Sequence, residues 1–213
     1  MRLLTLMLLL LGAIILATIV TRFVVPPAPS PGHRWILLKN VLLPILLVWL
    51  YGRAVRLLEQ REPKEISLQR GTPLFFLGAA LGMAIISFYV LALSGIGAAT
   101  LTRGAGAHGV VPLLNEVLHP WGTAVGEELL FRLVLFRLTE EAVGTGLAAL
   151  ISALLFGLSH AANPGTSSGS LFFLAAGMGS LLAFAYAATR NLWFPVGLHM
   201  AWKLCRRMPV WSP

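Results

Sequence analysis

The sequence predicts an all-α protein, a polytopic bundle of about seven transmembrane helices. Of its 213 residues, 57% are hydrophobic and only 11% are charged, whereas a soluble domain carries about 25% charged residues. The apolar residues also fall into separate runs, and a run of about 17–25 residues is long enough to cross a bilayer as a helix. Composition and spacing together indicate a chain that crosses a membrane several times.

Seven apolar runs follow one another along the chain. They are residues 3–25, 35–51, 74–98, 111–136, 146–160, 169–188 and 192–205. The runs at 146–160 and 192–205 are short and need tilt or surrounding protein to span a bilayer. The first run is longer than the apolar region of a signal peptide and is followed by PPAPSP rather than by a small-residue cleavage site. We therefore expect it to be a retained span.

The chain is expected to divide into two main regions. Residues 1–73 form a two-span hairpin with a basic loop, residues 74–205 form the core, and residues 206–213 form a short tail. The net charge is +8, and Lys and Arg concentrate in the cytoplasmic loops of membrane proteins. The basic segment 52–73 is therefore predicted to be cytoplasmic, and the basic excess does not indicate a nucleic-acid partner. Short loops favour a multi-pass protein of a bacterial plasma membrane.

Residues 126–137, GEELLFRLVLFR, place ionisable side chains inside an apolar run. A charge at the bilayer centre costs about 2.5–3.5 kcal/mol on insertion scales, so such residues are expected to be functional. Glu128 and Arg132 are four positions apart, a spacing that predicts an ion pair within one helix. Glu127 lies about 100° further round the helix and has no local partner there. It is the predicted general base.

Two further apolar segments carry histidines. His160 ends the segment FGLSH and precedes AANPG, so we expect it in the last turn of a helix that the NPG sequence terminates. His199 and Lys203 are four positions apart and share a helix face. His160 and Lys203 also have purely structural interpretations. His160 can anchor a helix end at the membrane interface, and the Lys203 side chain can reach water. Together with the glutamate they predict a site that activates water and stabilises an oxyanion.

A zinc site is the alternative arrangement of the same residues. Glu127, His160 and His199 would suit zinc, although no HExxH motif occurs. The chain has no aspartate, which excludes a paired-aspartate intramembrane protease. The GTSSG sequence at 165–169 matches the G-x-S-x-G pattern but follows no predicted strand, which argues against a serine-hydrolase elbow.

Three motifs together resemble one known family. They are EExxxR at 127–132, FxxxH at 156–160 and an HxxxN-like motif at 199–203, in which Lys203 replaces the asparagine. This combination is similar to the CAAX protease and bacteriocin-processing family, the glutamic intramembrane proteases that are also called the ABI (abortive infection) family. The resemblance covers roughly residues 75–205. It implies an all-helical membrane bundle and an endopeptidase site in a cavity open toward the cytoplasm.

The resemblance also implies a role for each motif residue. Glu127 and His160 would together activate the attacking water, and His199 would stabilise the oxyanion. No cofactor is expected for this mechanism. The supporting residues would be Glu128, Arg132, Phe156 and Asn163.

Lys203 departs from the family pattern, and two hypotheses follow from it. A lysine donates to an oxyanion more strongly than an amide when it is charged. This favours an active endopeptidase whose substrate is a membrane-associated peptide or protein, either CAAX-type or bacteriocin-like. The same lysine can instead pair with Glu127 and spoil the base. That favours a catalytically impaired pseudoprotease that acts in immunity or as a membrane-binding scaffold.

Overall fold

The structure is a computed structural model that describes residues 12, 36–98, 100–101, 109–207 and 211–212. The predicted span at 3–25 lies outside the described residues, apart from Gly12. The regular secondary structure of the described residues is helical except for one antiparallel pair of two-residue strands, β1 (Thr100–Leu101) and β2 (Trp211–Ser212). The all-α prediction is therefore confirmed.

Seven α-helices, several extended by π-helical turns, make up most of the described chain. Their bounds are α1 (Leu43–Ala54), α2 (Leu68–Gly95), α3 (Val110–Glu128), α4 (Arg137–Leu158), α5 (Ser168–Leu174), α6 (Ser180–Thr189) and α7 (Trp193–Arg207). The π-helical segments are Leu38–Leu42, Val55–Glu59, Leu129–Phe136 and Ala175–Gly179, and a 3₁₀ turn covers Lys64–Ile66.

Several of these helices join end to end into membrane-length segments. Within the described residues, four helical segments are long and apolar enough to cross a bilayer: Leu38–Glu59, Leu68–Gly95, Val110–Leu158 and Ser168–Thr189. Helix α7 has 15 residues, which is shorter than a spanning helix. The prediction of about seven membrane segments is therefore not confirmed.

The longest of these segments, Val110–Leu158, is a hairpin of two helices packed side by side. It breaks at Gly144, whose φ of 78° and ψ of 167° are accessible to glycine because it has no Cβ. The Ser152 hydroxyl then donates to the Phe131 carbonyl at 3.0 Å. The second part thus folds back beside the first, and the two parts correspond to the predicted runs 111–136 and 146–160.

The basic segment predicted as a loop at 52–73 is mostly helical. The first helix continues to Glu59 and α2 begins at Leu68, so only residues 60–67 connect them. Glu65 anchors this connection, because Arg61 Nη2 donates to its carboxylate at 2.7 Å and Arg137 Nη1 at 3.1 Å. The cytoplasmic orientation of the segment and the domain division at residue 73 both stay predictions.

Helices α2 and α7 pack closely because glycines face backbone atoms across their interface. A Cβ on Gly78 would lie 2.2 Å from the Phe194 carbonyl oxygen, and a Cβ on Gly197 would lie 2.1 Å from the Phe75 carbonyl oxygen. Small residues let helix backbones approach in this way. The contact fixes the position of α7, the helix that carries the third sequence motif.

Candidate active site

Two helices bring most of the predicted site residues together. Glu127 and Glu128 end α3, and Arg132 follows in the π-helical segment Leu129–Phe136. His199 and Lys203 lie on α7, which packs against α3. π-helical distortions within α-helices are found frequently at functional sites. Here the distortion begins directly after the paired glutamates.

Glu128 is completely buried and binds two groups at once. Its Oε2 lies 3.1 Å from Arg132 Nε, which is the ion pair predicted from their spacing. Its Oε1 lies 2.8 Å from Nδ1 of the buried His199. Because an ionised carboxylate only accepts hydrogen bonds, His199 carries its proton on Nδ1 and donates it to Glu128. Sequence reasoning missed this second contact, because 71 positions separate the two residues.

The Arg132 side chain is also completely buried. A buried charge is tolerated when it is paired and hydrogen-bonded, and the Nη2 of Arg132 donates to the Gly179 carbonyl at 3.1 Å. Its guanidinium carbon lies 5.2 Å from the ring centroid of Phe156 and 5.8 Å from that of Phe131, within the range of cation–π attraction. The Arg132 guanidinium thus contacts residues of α3, of α4 and of the π-helical segment before α6.

The partner of Glu127 comes from α7 rather than from its own helix. Lys203 Nζ donates to Glu127 Oε1 at 2.6 Å. Glu127 Oε2 lies 3.5 Å from His199 Nε2 and has no hydrogen-bond partner among the described residues. The side chains of Glu127 and Lys203 are about one quarter exposed. One carboxylate oxygen is therefore held by a cation, whereas the other has an unused acceptor.

His160 lies just beyond α4, which ends at Leu158, rather than in the last turn of a helix as predicted. Its Nδ1 lies 2.9 Å from the Phe156 carbonyl and 3.1 Å from the Ser159 hydroxyl. Because the carbonyl only accepts, Nδ1 carries the proton, and the Nε2 of the neutral ring is left as an acceptor. His160 interacts electrostatically with Glu127, but no described hydrogen bond joins the two side chains.

The two remaining motif residues differ in their placement. The Phe156 ring is buried between both histidines, with its centroid 5.0 Å from the His160 ring and 5.6 Å from the His199 ring. Asn163 is exposed, and its backbone N–H donates to the His160 carbonyl at 3.0 Å. Phe156 therefore forms a wall of the site, while Asn163 shapes the turn that carries His160.

The residues of the alternative zinc site do not form a metal-binding group. Across the described ranges, no three His, Cys, Asp or Glu side chains lie together in an arrangement that could hold a metal ion. Glu127 Oε1 is already bound by Lys203, and His199 Nδ1 is bound by Glu128. One oxygen of Glu127 and one ring nitrogen of His199 are therefore engaged with other side chains in this structure.

The candidate residues all fall within one match to a known family. Residues 110–205 match the family model described as type II CAAX prenyl endopeptidase Rce1-like. This part of the chain is therefore similar to CAAX-type membrane endopeptidases. The match contains the three motifs of the site, and it lies within the part of the chain for which the sequence indicated the resemblance.

A curated relative gives an independent comparison. The chain is 34% identical over 90 residues to a Bacillus subtilis (strain 168) protein that bears the name "Putative membrane peptidase YdiL". The aligned part covers 42% of this chain and 34% of the relative, so the chain spans about one third of that protein's length. No solved structure matches the chain. The family match, this relative and the apolar helices indicate an integral membrane protein related to membrane peptidases.

Proposed function

We propose that the protein is an intramembrane glutamic endopeptidase that hydrolyses a peptide bond with a water activated by Glu127 and His160. The observation that carries the proposal is the carboxylate of Glu127. One oxygen is bound by Lys203, and the buried Oε2 has no hydrogen-bond partner in the described chain. Leaving a buried acceptor unpaired costs about 1–3 kcal/mol. A water that donates to Oε2 removes this cost and is in place to be deprotonated.

The first chemical step is addition of that water to the scissile carbonyl. Glu127 Oε2 takes a proton from the water, the water oxygen bonds to the carbonyl carbon, and the carbonyl electron pair moves onto its oxygen. Nε2 of neutral His160 is an acceptor because Nδ1 donates to the Phe156 carbonyl. This nitrogen orients the water through its second hydrogen. A positioned acid–base group of this kind contributes about 10²–10⁴-fold to a rate.

Lys203 is the donor that follows the negative charge during this step. Protonation of Glu127 removes the anion that Lys203 binds, and the new anion is the tetrahedral oxygen. The ammonium has three donors on one nitrogen, so it transfers its hydrogen bond from the carboxyl group to the oxyanion. The site thus has the same net charge before and after addition, which avoids the cost of uncompensated charge in an apolar surrounding.

His199 supplies a second oxyanion donor in one protonation state. Its Nδ1 already donates to Glu128, so its Nε2 donates only when the ring is an imidazolium.

The second chemical step is collapse of the tetrahedral intermediate. The C–N bond breaks, and the proton held by Glu127 passes to the departing nitrogen. Glu127 is then a carboxylate again, and Lys203 returns to it.

An apolar cavity beside His160 supports a hydrophobic substrate. It has a volume of about 350 Å³ and is lined by apolar side chains that include Phe131, Leu135 and Leu155, and by Ser159. Ser159 also contacts the His160 ring. A cavity of this chemistry suits the apolar side chains of a membrane-associated peptide, either CAAX-type or bacteriocin-like, at a bacterial plasma membrane.

Proteolysis by the purified protein in detergent tests the proposal. The substrates are quenched-fluorescent hydrophobic peptides, with and without a prenyl group, and each assay is run with and without a chelator. We expect hydrolysis that Glu127→Gln abolishes and that the chelator does not change. Glu141→Gln is the matched control, because Glu141 is an exposed glutamate of the same chain. Hydrolysis by Glu127→Gln would refute the proposal, and sensitivity to the chelator would favour the zinc alternative.

The ion pair between Lys203 and Glu127 supports a second candidate function, that of a pseudoprotease. At 2.6 Å the ammonium stabilises the carboxylate form and opposes its protonation. If this effect dominates, the site binds membrane partners in immunity or scaffolding without hydrolysis. Lys203→Asn, which restores the family residue, separates the two functions. Hydrolysis that appears only in this variant identifies a degenerate site, whereas a loss of activity identifies Lys203 as the oxyanion donor.

A further inference from the structure

A second and larger cavity is lined by none of the side chains that form the ionic site. It has a volume of about 700 Å³ and lies between α1 and α2, with α3 and the start of α7 behind it. Three tryptophans and two phenylalanines from four different helices line it: Trp49, Phe75, Phe76, Trp121 and Trp193. The rings of Trp121 and Trp193 stack, with centroids 6.0 Å apart and planes at 7°. The cavity is therefore an aromatic-walled groove, separate from the ionic site.

The groove has the length and the polarity of one lipid leaflet. Its lining residues on α1 and on the π-helical turn that follows run from Pro44 to Arg56, which at about 1.5 Å per residue is about 18 Å. Half of a bilayer's hydrocarbon core is about 15 Å thick. Arg56 is the one charged residue among the described lining residues, and it lies at the end next to the connection 60–67. The rest of that wall of the groove is apolar.

The charged end of the groove carries an excess of positive charge. The Arg56 side chain is half exposed, and its one ion-pair partner within the described part of the chain is the exposed Glu62, at 3.2 Å, a surface contact of small energy. The guanidinium of Arg53 lies 6.0 Å from the ring centroid of the groove residue Trp49. No ion pair of Arg53 is present in the described ranges. Two arginines at the mouth of an apolar groove match an anionic headgroup above an acyl chain.

We propose that this groove binds one acyl chain of an anionic phospholipid, with the lipid phosphate at Arg56. The bound chain contacts both helices that carry the candidate active site. Val125 lines the groove and precedes Glu127 by two positions, while Trp193 begins α7, which carries His199. The lipid therefore fills the space behind the two active-site helices and stabilises their packing. This binding does not depend on whether the protein hydrolyses peptides.

Native mass spectrometry of the purified protein in detergent tests the proposal. The two probes are phosphatidylglycerol and phosphatidylcholine with identical acyl chains. We expect one phosphatidylglycerol to bind in preference to phosphatidylcholine, and Arg56→Gln to weaken its binding about fivefold. The control is Lys64→Gln, because Lys64 is an exposed cation of the same connection that does not line the groove. Val48→Trp, which fills the groove, should weaken binding of both lipids.

Several results would overturn the proposal. Equal binding of the two lipids by the parent protein would remove the role of the headgroup charge. An equal loss in Lys64→Gln and Arg56→Gln would reassign binding to the basic surface as a whole. Displacement of phosphatidylglycerol by an uncharged prenyl alcohol would identify an isoprenoid as the occupant. Arg56→Gln is the decisive variant, because a half-exposed side chain can be replaced without loss of the fold, which a thermal unfolding measurement confirms.

Discussion

Glu128 holds the Nδ1 proton of His199 through a buried hydrogen bond of 2.8 Å. This relationship fixes the tautomer of a ring whose other nitrogen lies 3.5 Å from Glu127. A carboxylate behind a histidine sets the orientation and the basicity of that ring. Glu128 therefore acts through His199 and is a positioning residue rather than a second base.

Replacing Glu128 by Gln tests this positioning role. A glutamine amide can present either a donor or an acceptor to His199 Nδ1, so the tautomer is no longer fixed. We expect kcat/KM for a cleaved peptide to fall about 10- to 100-fold, as is typical when the residue behind a functional ligand is changed. The acidic side of the pH–rate profile should also shift, which a purely structural role would not produce. An unchanged profile would show that Glu128 serves only to neutralise Arg132.

Replacing Arg132 by Met should destabilise the protein strongly. The change leaves the buried Glu128 carboxylate without its cation, and breaking a buried ion pair costs about 3–5 kcal/mol. Thermal unfolding in detergent measures the loss. The control is Arg190→Gln, which removes the partner of Glu140 in a half-exposed pair, where the expected cost is about 0–1 kcal/mol. Comparable losses in the two variants would contradict the burial argument.

Glu65 should make the stability of the protein depend on acidic pH. Burial raises the pKa of Glu65, but hydrogen bonds from Arg61 and Tyr51 outweigh burial and hold the pKa below its usual value of 4.5. A carboxyl group with a lowered pKa in the folded state stabilises that state fully above the unfolded-state pKa. This contribution is lost as the pH falls through the lower folded-state value. We therefore expect Tm to decrease as the pH falls below about 4.5.

The variant Glu65→Gln isolates this contribution. Its Tm should be lower than that of the parent protein at pH 7. Between pH 5 and pH 3 its Tm should fall less steeply than that of the parent protein, and the difference should correspond to the titration of roughly one carboxyl group. Glu62→Gln is the control, because Glu62 is 71% exposed and pairs only at the surface. An identical decrease of Tm with pH in Glu65→Gln and in the parent protein would show that other carboxyl groups dominate.

Gly197→Ala tests the contact between α2 and α7. The added methyl group would lie 2.1 Å from the Phe75 carbonyl oxygen, so the helices must separate, and overpacking of this kind costs about 1–3 kcal/mol or more. Gly177→Ala is the matched control, because no atom lies within 4 Å of its added Cβ. That change should stabilise the protein by up to about 1 kcal/mol through helix propensity. Equal Tm values for the two variants would contradict the close approach of α7.

Local spacing predicted the features of the site that lie within one helix. The ion pair of Glu128 and Arg132 follows from four positions of separation on an apolar helix, and the structure has it at 3.1 Å. The three motifs likewise located the residues that the family match contains. The contacts of Glu127 could not be deduced in this way, because Lys203 is 76 positions away. A lysine at position 203 could equally reach water or pair with a carboxylate.

The sequence by itself determined the all-helical membrane class, the motif residues and the local ion pair, because composition and helical periodicity depend on neighbouring residues only. The tertiary structure decided how α3 and α7 meet. It joined Glu128 to His199, brought Lys203 to Glu127 and tied Tyr51, Glu65 and Arg137 into one cluster. These contacts depend on which glycines let backbones approach and on where Gly144 turns the chain, and no local pattern encodes the pairing of residues so far apart.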